Sequence, residues 1–298
     1  MAILFKCVLK TLLPRFITVG DNGRAYNSLD GETWTPMIEL TGINLNAVTY
    51  GNGRFVAVGP YGVSYYSLDG DTWVPMSGLD ENVLFKGVTY GNGRFVCVGQ
   101  SDKSYYSLDG ETWVPMSGLK NTQYYAVTYG NGKFVATGMS CIHTSTDGET
   151  WTLVYTTSDT ADLKSVTYGN GRFVTVGNTL FTSKIVSYYS LDGETWVAMG
   201  AMTGANGSGV TYGNGKFVCV GDKKSWYSLD GEKWTVNSTS FSYSVYAINY
   251  ANGRFVCVGQ SGESRYSLDG NTWVKMSGLD TNSFRSVCYS VDGGYDNS

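Results

Sequence analysis

One motif recurs along almost the whole chain and limits what the chain can fold into. Each of seven tryptophans follows a copy of Ser-Leu-Asp-Gly, except that the fourth copy reads Ser-Thr-Asp-Gly. These tryptophans are Trp34, Trp73, Trp113, Trp151, Trp196, Trp234 and Trp273. A repeat of this length, about 40 residues, is one supersecondary unit that cannot bury its apolar surface alone. The sequence therefore requires seven similar units that stack on one another.

Every copy contains four short segments of strand character. The first ends in Thr-Tyr in most copies and precedes Gly-Asn-Gly (residues 51–53 in the second copy), where Asn and Gly favour the positive φ angles of a two-residue hairpin. The second, at residues 54–58, is apolar at successive positions, which is typical of a strand covered on both faces. A loop, a third strand, an Asp-Gly turn and a fourth strand follow. Four antiparallel strands in such a unit form one blade of a β-propeller.

The predicted fold is an all-β, seven-bladed β-propeller of four-stranded antiparallel blades. It spans residues 15–298, and residues 1–14 form a separate segment that is either a spare strand or an anchor. The first copy lacks its inner strand, and two segments could supply it. Residues 284–294 match residues 85–93 at Phe, Val, Tyr and Gly, whereas the rival is the apolar segment 4–9. We expect the C-terminal segment to pair with the N-terminal blade and close the ring, because its turn residues fit better.

The pattern Ser-x-Asp-Gly-x-Thr-Trp resembles the Asp-box repeat of sialidase-like, BNR-type β-propellers, with one residue fewer between Asp and Trp than in the commonest form. The resemblance covers the chain from residue 15 onward and implies a structural role for the aspartates. Short Asp side chains accept hydrogen bonds from the backbone N–H groups of tight turns. These aspartates are Asp30, Asp69, Asp109, Asp147, Asp192, Asp230 and Asp269.

The close similarity of the copies also resembles bacteriophage tail or fibre proteins and lectin-like surface propellers. This second resemblance implies a virion or extracellular-surface protein. Its partners would be a glycan or protein receptor, or neighbouring proteins of an assembly.

Composition argues against several other classes of protein. Charged residues make up 15% of the chain and sum to −4, without the basic stripe of a nucleic-acid-binding protein. No run of 18 apolar residues could span a membrane. Lys6 and Lys10 interrupt the apolar N-terminus, so no clear signal peptide is predicted. The six cysteines lack metal-ligand spacing and are expected to be reduced, and neither a metal nor a cofactor is predicted.

The two faces of the predicted ring differ in how much the copies vary. The fixed face carries the Gly-Asn-Gly turns (51–53 and its copies) and the turns that follow the third strand (69–72 and its copies), which are nearly identical. The variable face carries the loops after the second strand, the longest being 178–186, and the connections between blades. Binding residues commonly lie on loops held by a rigid scaffold, although exposed loops also diverge without function.

One third-strand position just below the variable loops is mostly aromatic. Aromatic rings at this position could stack on sugars, or they could simply pack between blades. The candidate ligand-binding residues on the variable face are Tyr65, Tyr105, His143, Phe181, Lys184, Tyr188, Trp226, Arg24 and Arg265.

A repeated cation lies at the start of every second strand. These cations are Arg15, Arg54, Arg94, Lys133, Arg172, Lys216 and Arg254. The turns on the same fixed face carry the acids Glu32, Asp71, Glu111, Glu149, Glu194 and Glu232. We therefore expect surface ion pairs rather than a site for an anionic polymer.

Catalysis has little support in the sequence. A sialidase-like enzyme needs an arginine cluster for a substrate carboxylate and a Tyr–Glu pair. Outside the repeated position only Arg24, Arg265 and Arg285 remain, and no Tyr–Glu pair departs from the repeat. No catalytic residue is predicted, and the sequence favours a non-enzymatic recognition or structural propeller. A sialidase-like glycoside hydrolase and an intracellular assembly scaffold are the alternatives.

Overall fold

The computed structural model describes residues 13–37, 40, 42–157, 160–180, 184–200, 202 and 206–290. These residues form seven four-stranded antiparallel sheets, so the predicted all-β, seven-bladed propeller is confirmed. Strands are numbered β1 to β28 in chain order, and blades one to seven follow the order of the repeats. In the described part of the chain the only helical elements are two single 3-10 turns, Asp21–Gly23 and Gln260–Gly262.

Each blade runs from an inner strand at the axis to a short outer strand. Blades two to four contain β4 (Ala47–Gly51), β5 (Arg54–Val58), β6 (Ser64–Ser67), β7 (Val74–Pro75); β8 (Phe85–Gly91), β9 (Arg94–Gly99), β10 (Tyr105–Ser107), β11 (Val114–Pro115); β12 (Tyr124–Gly130), β13 (Lys133–Gly138), β14 (Cys141–Ser145) and β15 (Thr152–Thr156). Blades five to seven contain β16 (Ala161–Gly169), β17 (Arg172–Thr179), β18 (Ile185–Ser190), β19 (Val197–Ala198); β20 (Gly207–Gly213), β21 (Lys216–Gly221), β22 (Ser225–Ser228), β23 (Thr235–Val236); β24 (Val245–Ala251), β25 (Arg254–Gly259), β26 (Ser264–Ser267) and β27 (Val274–Lys275).

Blade one is assembled from both ends of the described chain. It contains β1 (Phe16–Gly20), β2 (Ala25–Ser28), β3 (Thr35–Pro36) and, as its inner strand, β28 (Phe284–Tyr289). Strand β28 pairs antiparallel with β1, placing Phe16 opposite Tyr289. Closure by the C-terminal segment is thus confirmed. The rival segment, residues 4–9, lies outside the described residues.

The apolar core lies between the blades rather than within them. Each inner strand contacts the inner strands of the two neighbouring blades, and the series returns from β24 through β28 to β4. Val56 and Val58 of blade two, for example, pack with Phe85, Phe95 and Trp113 of blade three. A blade covered on both faces in this way needs both neighbours, so the ring is the smallest stable unit.

Close approach of neighbouring blades at the axis depends on small residues at the end of the inner strand. The Tyr90 ring lies directly over Gly51 of the preceding blade, where any side chain would overlap its atoms. The same ring packs on Phe95 of its own blade, with 4.6 Å between ring centroids. The next residues explain the hairpin, since Asn52 and Gly53 have φ of 47° and 75°, as a two-residue turn of this kind requires.

The Ser-Leu-Asp-Gly turn is held by hydrogen bonds from its own backbone. In blade five the N–H groups of Glu194 and Thr195 donate to Asp192 Oδ1 over 2.8 and 2.7 Å. Gly193 N–H donates to Ser190 Oγ over 2.8 Å. The Thr195 and Glu194 backbone N–H groups lower the pKa of Asp192 to about 2. The same carboxylate and serine hydrogen bonds recur in all seven blades, as the structural role of the aspartates predicts.

The repeated cations tie each blade to the next. Arg172 of blade five donates to Glu232 of blade six over 2.9 Å, and Arg15 of blade one donates to Asp71 of blade two over 2.8 Å. The remaining pairs of this kind are Arg54–Glu111, Arg94–Glu149, Lys133–Glu194 and Arg254–Glu32. Lys216 instead donates to the Asp269 carbonyl, because Asn271 replaces the acid in blade seven. The predicted ion pairs are confirmed, and they lie across blade boundaries.

Ring closure by β28 can be tested with matched alanine variants. Phe284 in β28 and Phe85 in β8 occupy the same position of the repeat, and both side chains are completely buried. Phe284→Ala and Phe85→Ala should each lower the free energy of unfolding by about 3–5 kcal/mol, because each leaves a cavity between blades. Urea unfolding measures both values. A cost for Phe85→Ala with none for Phe284→Ala would contradict the closure.

The aspartate turns predict a specific acid sensitivity. The folded-state pKa of Asp192 is about 2, below the ordinary value of 3.8, so its stabilisation is complete above pH 4 and is lost as the pH falls towards 2. Asp192→Asn should lower the melting temperature at pH 7, and the gap to wild type should narrow between pH 4 and 2. Asp102→Asn, which removes the same charge from an exposed loop, is the control. A gap that stays constant over this range would contradict the prediction.

Candidate binding site at the axis of the variable face

The inner strands begin at the variable face with an irregularity. In six blades the pairing with the second strand skips one residue, which makes a β-bulge. A bulge re-aims the side chain of the extra residue. The residues at this position, with Asn46 as the equivalent in blade two, are Arg285, Asn46, Lys86, Tyr125, Lys164, Ser208 and Tyr246. We call these seven residues the axial ring, because they lie on the strands nearest the axis.

The axial ring is polar and only partly buried, in contrast to the apolar positions that follow it. All seven side chains of the axial ring are partly exposed. Val88, two residues after Lys86 in the same strand, is buried. The cations belong to blades one, three and five, and uncharged hydrogen-bonding side chains occupy the other four blades. The mouth of the channel at the variable face is therefore lined by polar groups that differ from blade to blade.

Two of the cations, Lys86 and Arg285, interact electrostatically although they belong to different blades. Burial lowers the pKa of Lys86, and the charge of Arg285 lowers it further. Lys86 belongs to blade three and Arg285 to blade one, at the bulges of β8 and β28, which are the two inner strands that contact β4. Burial also lowers the pKa of Lys164, an effect that the nearby Asp162 carboxylate opposes. The site thus concentrates positive charge where water is partly excluded.

Two carboxylates lie beside the axial ring. Arg285 donates to Asp21, and the Tyr125 hydroxyl donates to Asp162 over 2.8 Å. Within the described ranges neither Lys86 nor Lys164 has a hydrogen-bond or ion-pair partner for its ammonium group. The nearby charge is that of the Arg285 cation at the half-buried Lys86 and that of the Asp162 carboxylate at the half-buried Lys164.

Three of the sequence-predicted site residues lie between blades. His143, Tyr188 and Trp226 have 0%, 6% and 1% of their surface exposed. Trp226 packs against Val174 and Val176 of the preceding blade. Of the two interpretations of these aromatic residues, packing between blades describes their positions, and none of the three is open to a sugar.

The other aromatic candidates are partly exposed but are also held in place. The Tyr65 hydroxyl donates to the Leu40 carbonyl over 2.8 Å, and Tyr105 packs edge-on against Phe85. Lys184 is exposed on the longest loop, and Phe181 lies outside the described residues. None of these residues belongs to the axial ring.

His143 occupies an apolar position without an acidic neighbour. Its Nδ1 lies 3.3 Å from the Tyr124 hydroxyl, and its Nε2 has no hydrogen-bond partner in the described structure. Burial lowers the pKa of His143 to about 4, and the charge of Lys120 acts in the same direction. A buried neutral imidazole with no carboxylate to orient it lacks the arrangement that a general base needs.

The three arginines outside the repeated position are each paired with a carboxylate. Arg24 lies 3.7 Å from Asp280, and Arg265 donates to Glu263 over 2.9 Å. The Arg265 guanidinium also stacks over the Phe241 ring, 5.1 Å from its centroid. Arg285 is paired with Asp21, as described above. These pairs fasten variable-face loops and do not form one cluster for a substrate carboxylate.

The sequence analysis missed most of the axial ring. The ligand-binding residues predicted from the sequence lie on the loops and on the third strand. They do not include Lys86, Tyr125, Lys164 or Tyr246. The signal was nonetheless present in the repeats. The residue before Ala/Gly/Ser-Val-Thr-Tyr differs in charge and size from copy to copy, whereas the residues that follow it hardly change.

Neither a metal site nor a membrane-spanning helix emerges from the described ranges. They contain no group of three or more His, Cys, Asp or Glu side chains placed to hold a metal ion. No helix in them is long and apolar enough to cross a membrane. Five cysteines, all buried, are free thiols, and Cys7 lies outside the described residues.

Comparison with known proteins gives a likeness of fold only. No protein-family model and no curated protein matches the chain. Among solved structures, YCF48 bound to D1 peptide is similar, with a TM-score of 0.66 and 17% identity over 85% of this chain and 89% of that one. The computationally designed Ika8 protein has a TM-score of 0.60 and 10% identity, covering 92% and 90%. A chain of a nidogen/laminin complex has a TM-score of 0.59 and 8% identity, covering 93% and 98%.

The environment of His143 predicts a second pH dependence, separate from that of the aspartate turns. Its folded-state pKa of about 4 lies below the ordinary value of 6.5, so the unfolded chain takes up the proton first and stability falls as the pH drops from 6.5 to 4. His143→Phe should remove this dependence of stability on pH, because phenylalanine does not titrate. The position should accept the ring, since four other blades hold an aromatic residue there. Melting temperatures of the two proteins across this range test it. Parallel curves would contradict the buried, neutral histidine.

Proposed function

We propose that the protein is a non-enzymatic binding propeller that holds a partner protein on its variable face, around the axial ring. The observation that carries the proposal is the contrast between the two faces. On the fixed face the repeated cations are paired with neighbouring blades. At the axial ring Lys86 and Lys164 have no hydrogen-bond or ion-pair partner among the described residues, and the polar side chains differ from blade to blade. A rigid scaffold with one differentiated surface is typical of recognition proteins.

A protein partner is favoured over a glycan. The aromatic residues that could have stacked on sugars include His143, Tyr188 and Trp226, which are buried between blades. A propeller of similar fold, YCF48, has been solved bound to D1 peptide. This likeness extends to the fold alone, and it supports peptide binding as a use that such a ring can serve.

A hydrolytic function has less support than binding. Arg24, Arg265 and Arg285 are engaged by Asp280, Glu263 and Asp21. A sialidase-like site would need these guanidinium groups free to bind a carboxylate bidentately. The proposal of a virion or cell-surface location, and of membership among Asp-box propellers, is supported by the resemblance of the repeats. A protein-binding role also suits an intracellular assembly scaffold.

Selection of peptides from a random-sequence display library, followed by a fluorescence measurement of affinity, tests the proposal. Peptides that bind saturably should lose affinity when the variable face is changed, as in Tyr246→Ala. The control is Leu229→Ala, which shortens an exposed side chain in a Ser-Leu-Asp-Gly turn of the fixed face. Binding of peptides should respond to the first variant and not to the second.

Two further measurements on the same sample separate the alternatives. A glycan array that gives specific binding while the display selection gives none would overturn the protein-binding proposal in favour of a lectin. Turnover of a fluorogenic sialoside that Arg265→Ala abolishes would overturn it in favour of a glycoside hydrolase.

A further inference from the structure

We propose that the axial ring is a carboxylate-binding site that takes a glutamate or aspartate side chain, or the terminal carboxylate, of the partner polypeptide. This inference rests on the proposed function and specifies which group of the partner enters the channel. It is carried by the arrangement of charge in the ring, the lack of internal partners for two of its cations, and the acids beside it.

The cations occupy alternate blades along one side of the ring, and blades six and seven carry Ser208 and Tyr246 instead. Arg285, Lys86 and Lys164 belong to blades one, three and five, with Asn46 and Tyr125 on the two blades between them. The Asn46 amide and the Tyr125 hydroxyl donate to the Phe85 carbonyl and to Asp162, so the three cations are the groups of this side of the ring that would bind a small anion.

The unpaired state of Lys86 and Lys164 is unusual in this protein. Among the described residues, the other lysines that lack an ion pair are exposed, apart from Lys216, which donates to the Asp269 carbonyl over 2.8 Å. Lys86 and Lys164 are half-buried and have no such acceptor. Desolvation of an ammonium group is unfavourable unless an opposite charge or an acceptor compensates for it. Asp162 supplies part of that compensation at Lys164, whereas a carboxylate from outside the chain would supply it at Lys86 and complete it at Lys164.

The acids beside the ring favour a single carboxylate over a polyanion. The three cations are accompanied by two carboxylates, those of Asp21 and Asp162. These five side chains together carry a net charge of +1. A phosphate group with two charges, or a nucleic-acid backbone, would be repelled by those acids, whereas one carboxylate neutralises the site. The hydroxyl of Tyr246 can donate to this carboxylate and orient it.

A defined peptide probe tests the site directly. The probe is a fluorescein-labelled heptapeptide of glycine and serine that ends in glutamate with a free terminal carboxylate. Its control has glutamine and an amide at the end. Fluorescence anisotropy at low salt should show saturable binding of the probe, at least tenfold tighter than that of the control. The double variant Lys86→Gln/Lys164→Gln should weaken binding of the probe at least tenfold.

A matched variant removes the same charge elsewhere on the variable face. Lys223 and Lys224 are exposed on the loop after β21, so Lys223→Gln/Lys224→Gln should change affinity less than twofold. The double variant of the axial ring should melt no lower than wild type, because it removes desolvated charge rather than packing. Inorganic phosphate added as a competitor should displace the probe less effectively than acetate does.

The outcomes separate this inference from the proposed function. Equal loss of affinity in both double variants, tighter competition by phosphate, or absence of saturable binding by wild type would overturn the carboxylate site. If display-selected peptides still bind the variable face and ignore Lys86→Gln/Lys164→Gln, the inference fails while the proposed function stands. If those peptides do not bind at all, the proposed function fails.

Discussion

A blade of this protein has two apolar faces, and everything else in the structure depends on covering both. Phe55, Phe95 and the equivalent side chains are completely buried because a neighbouring blade lies on each side. The first and last repeats can have two neighbours only if the ring closes. Strand β28 provides this closure by serving as the inner strand of the blade that begins the chain. The Arg254–Glu32 ion pair then joins blade seven to blade one as other blades are joined.

Closure has different consequences at the two ends of the inner strands. At the fixed face the inner strands of blades two to seven end in a small residue and a tight turn. In blades two to six the next blade's tyrosine ring lies over that small residue, so little variation is tolerated. At the variable face six of the seven inner strands begin with a bulge, whose extra residue has no partner in the sheet. That residue can change without disturbing the ladder. The ring therefore offers a set of independently variable side chains around one axis, and these include the three cations.

The repeat made the fold predictable, down to the donated strand. Tryptophan spacing gave the number of blades, and the Gly-Asn-Gly turns fixed the hairpins because few residue pairs accept those backbone angles. The likeness of residues 284–294 to an inner strand was enough to identify the closing segment. The ion pairs on the fixed face could also be predicted from the sequence. The sequence did not show which neighbouring blade each cation would contact.

The candidate site was much less predictable. Whether Trp226 or Tyr188 faces solvent or a neighbouring blade depends on how the sheets stack, which alternation along a strand does not specify. The convergence of Lys86 and Arg285 is a property of the closed ring, since about 200 residues separate them in the chain. Comparison of the copies at the bulge would have revealed the varied position. It would not have revealed that the seven side chains meet at an axis.

The central claim is that recognition takes place at the axial ring while the fixed face serves the scaffold. Hydrogen–deuterium exchange, measured with and without a saturating acidic peptide, tests it most directly. The account predicts slower exchange in the bound state at the starts of the inner strands, near residues 85–88, 164–166 and 285–287. Slower exchange at the Gly-Asn-Gly turns of the fixed face, with no change at those strand starts, would contradict it.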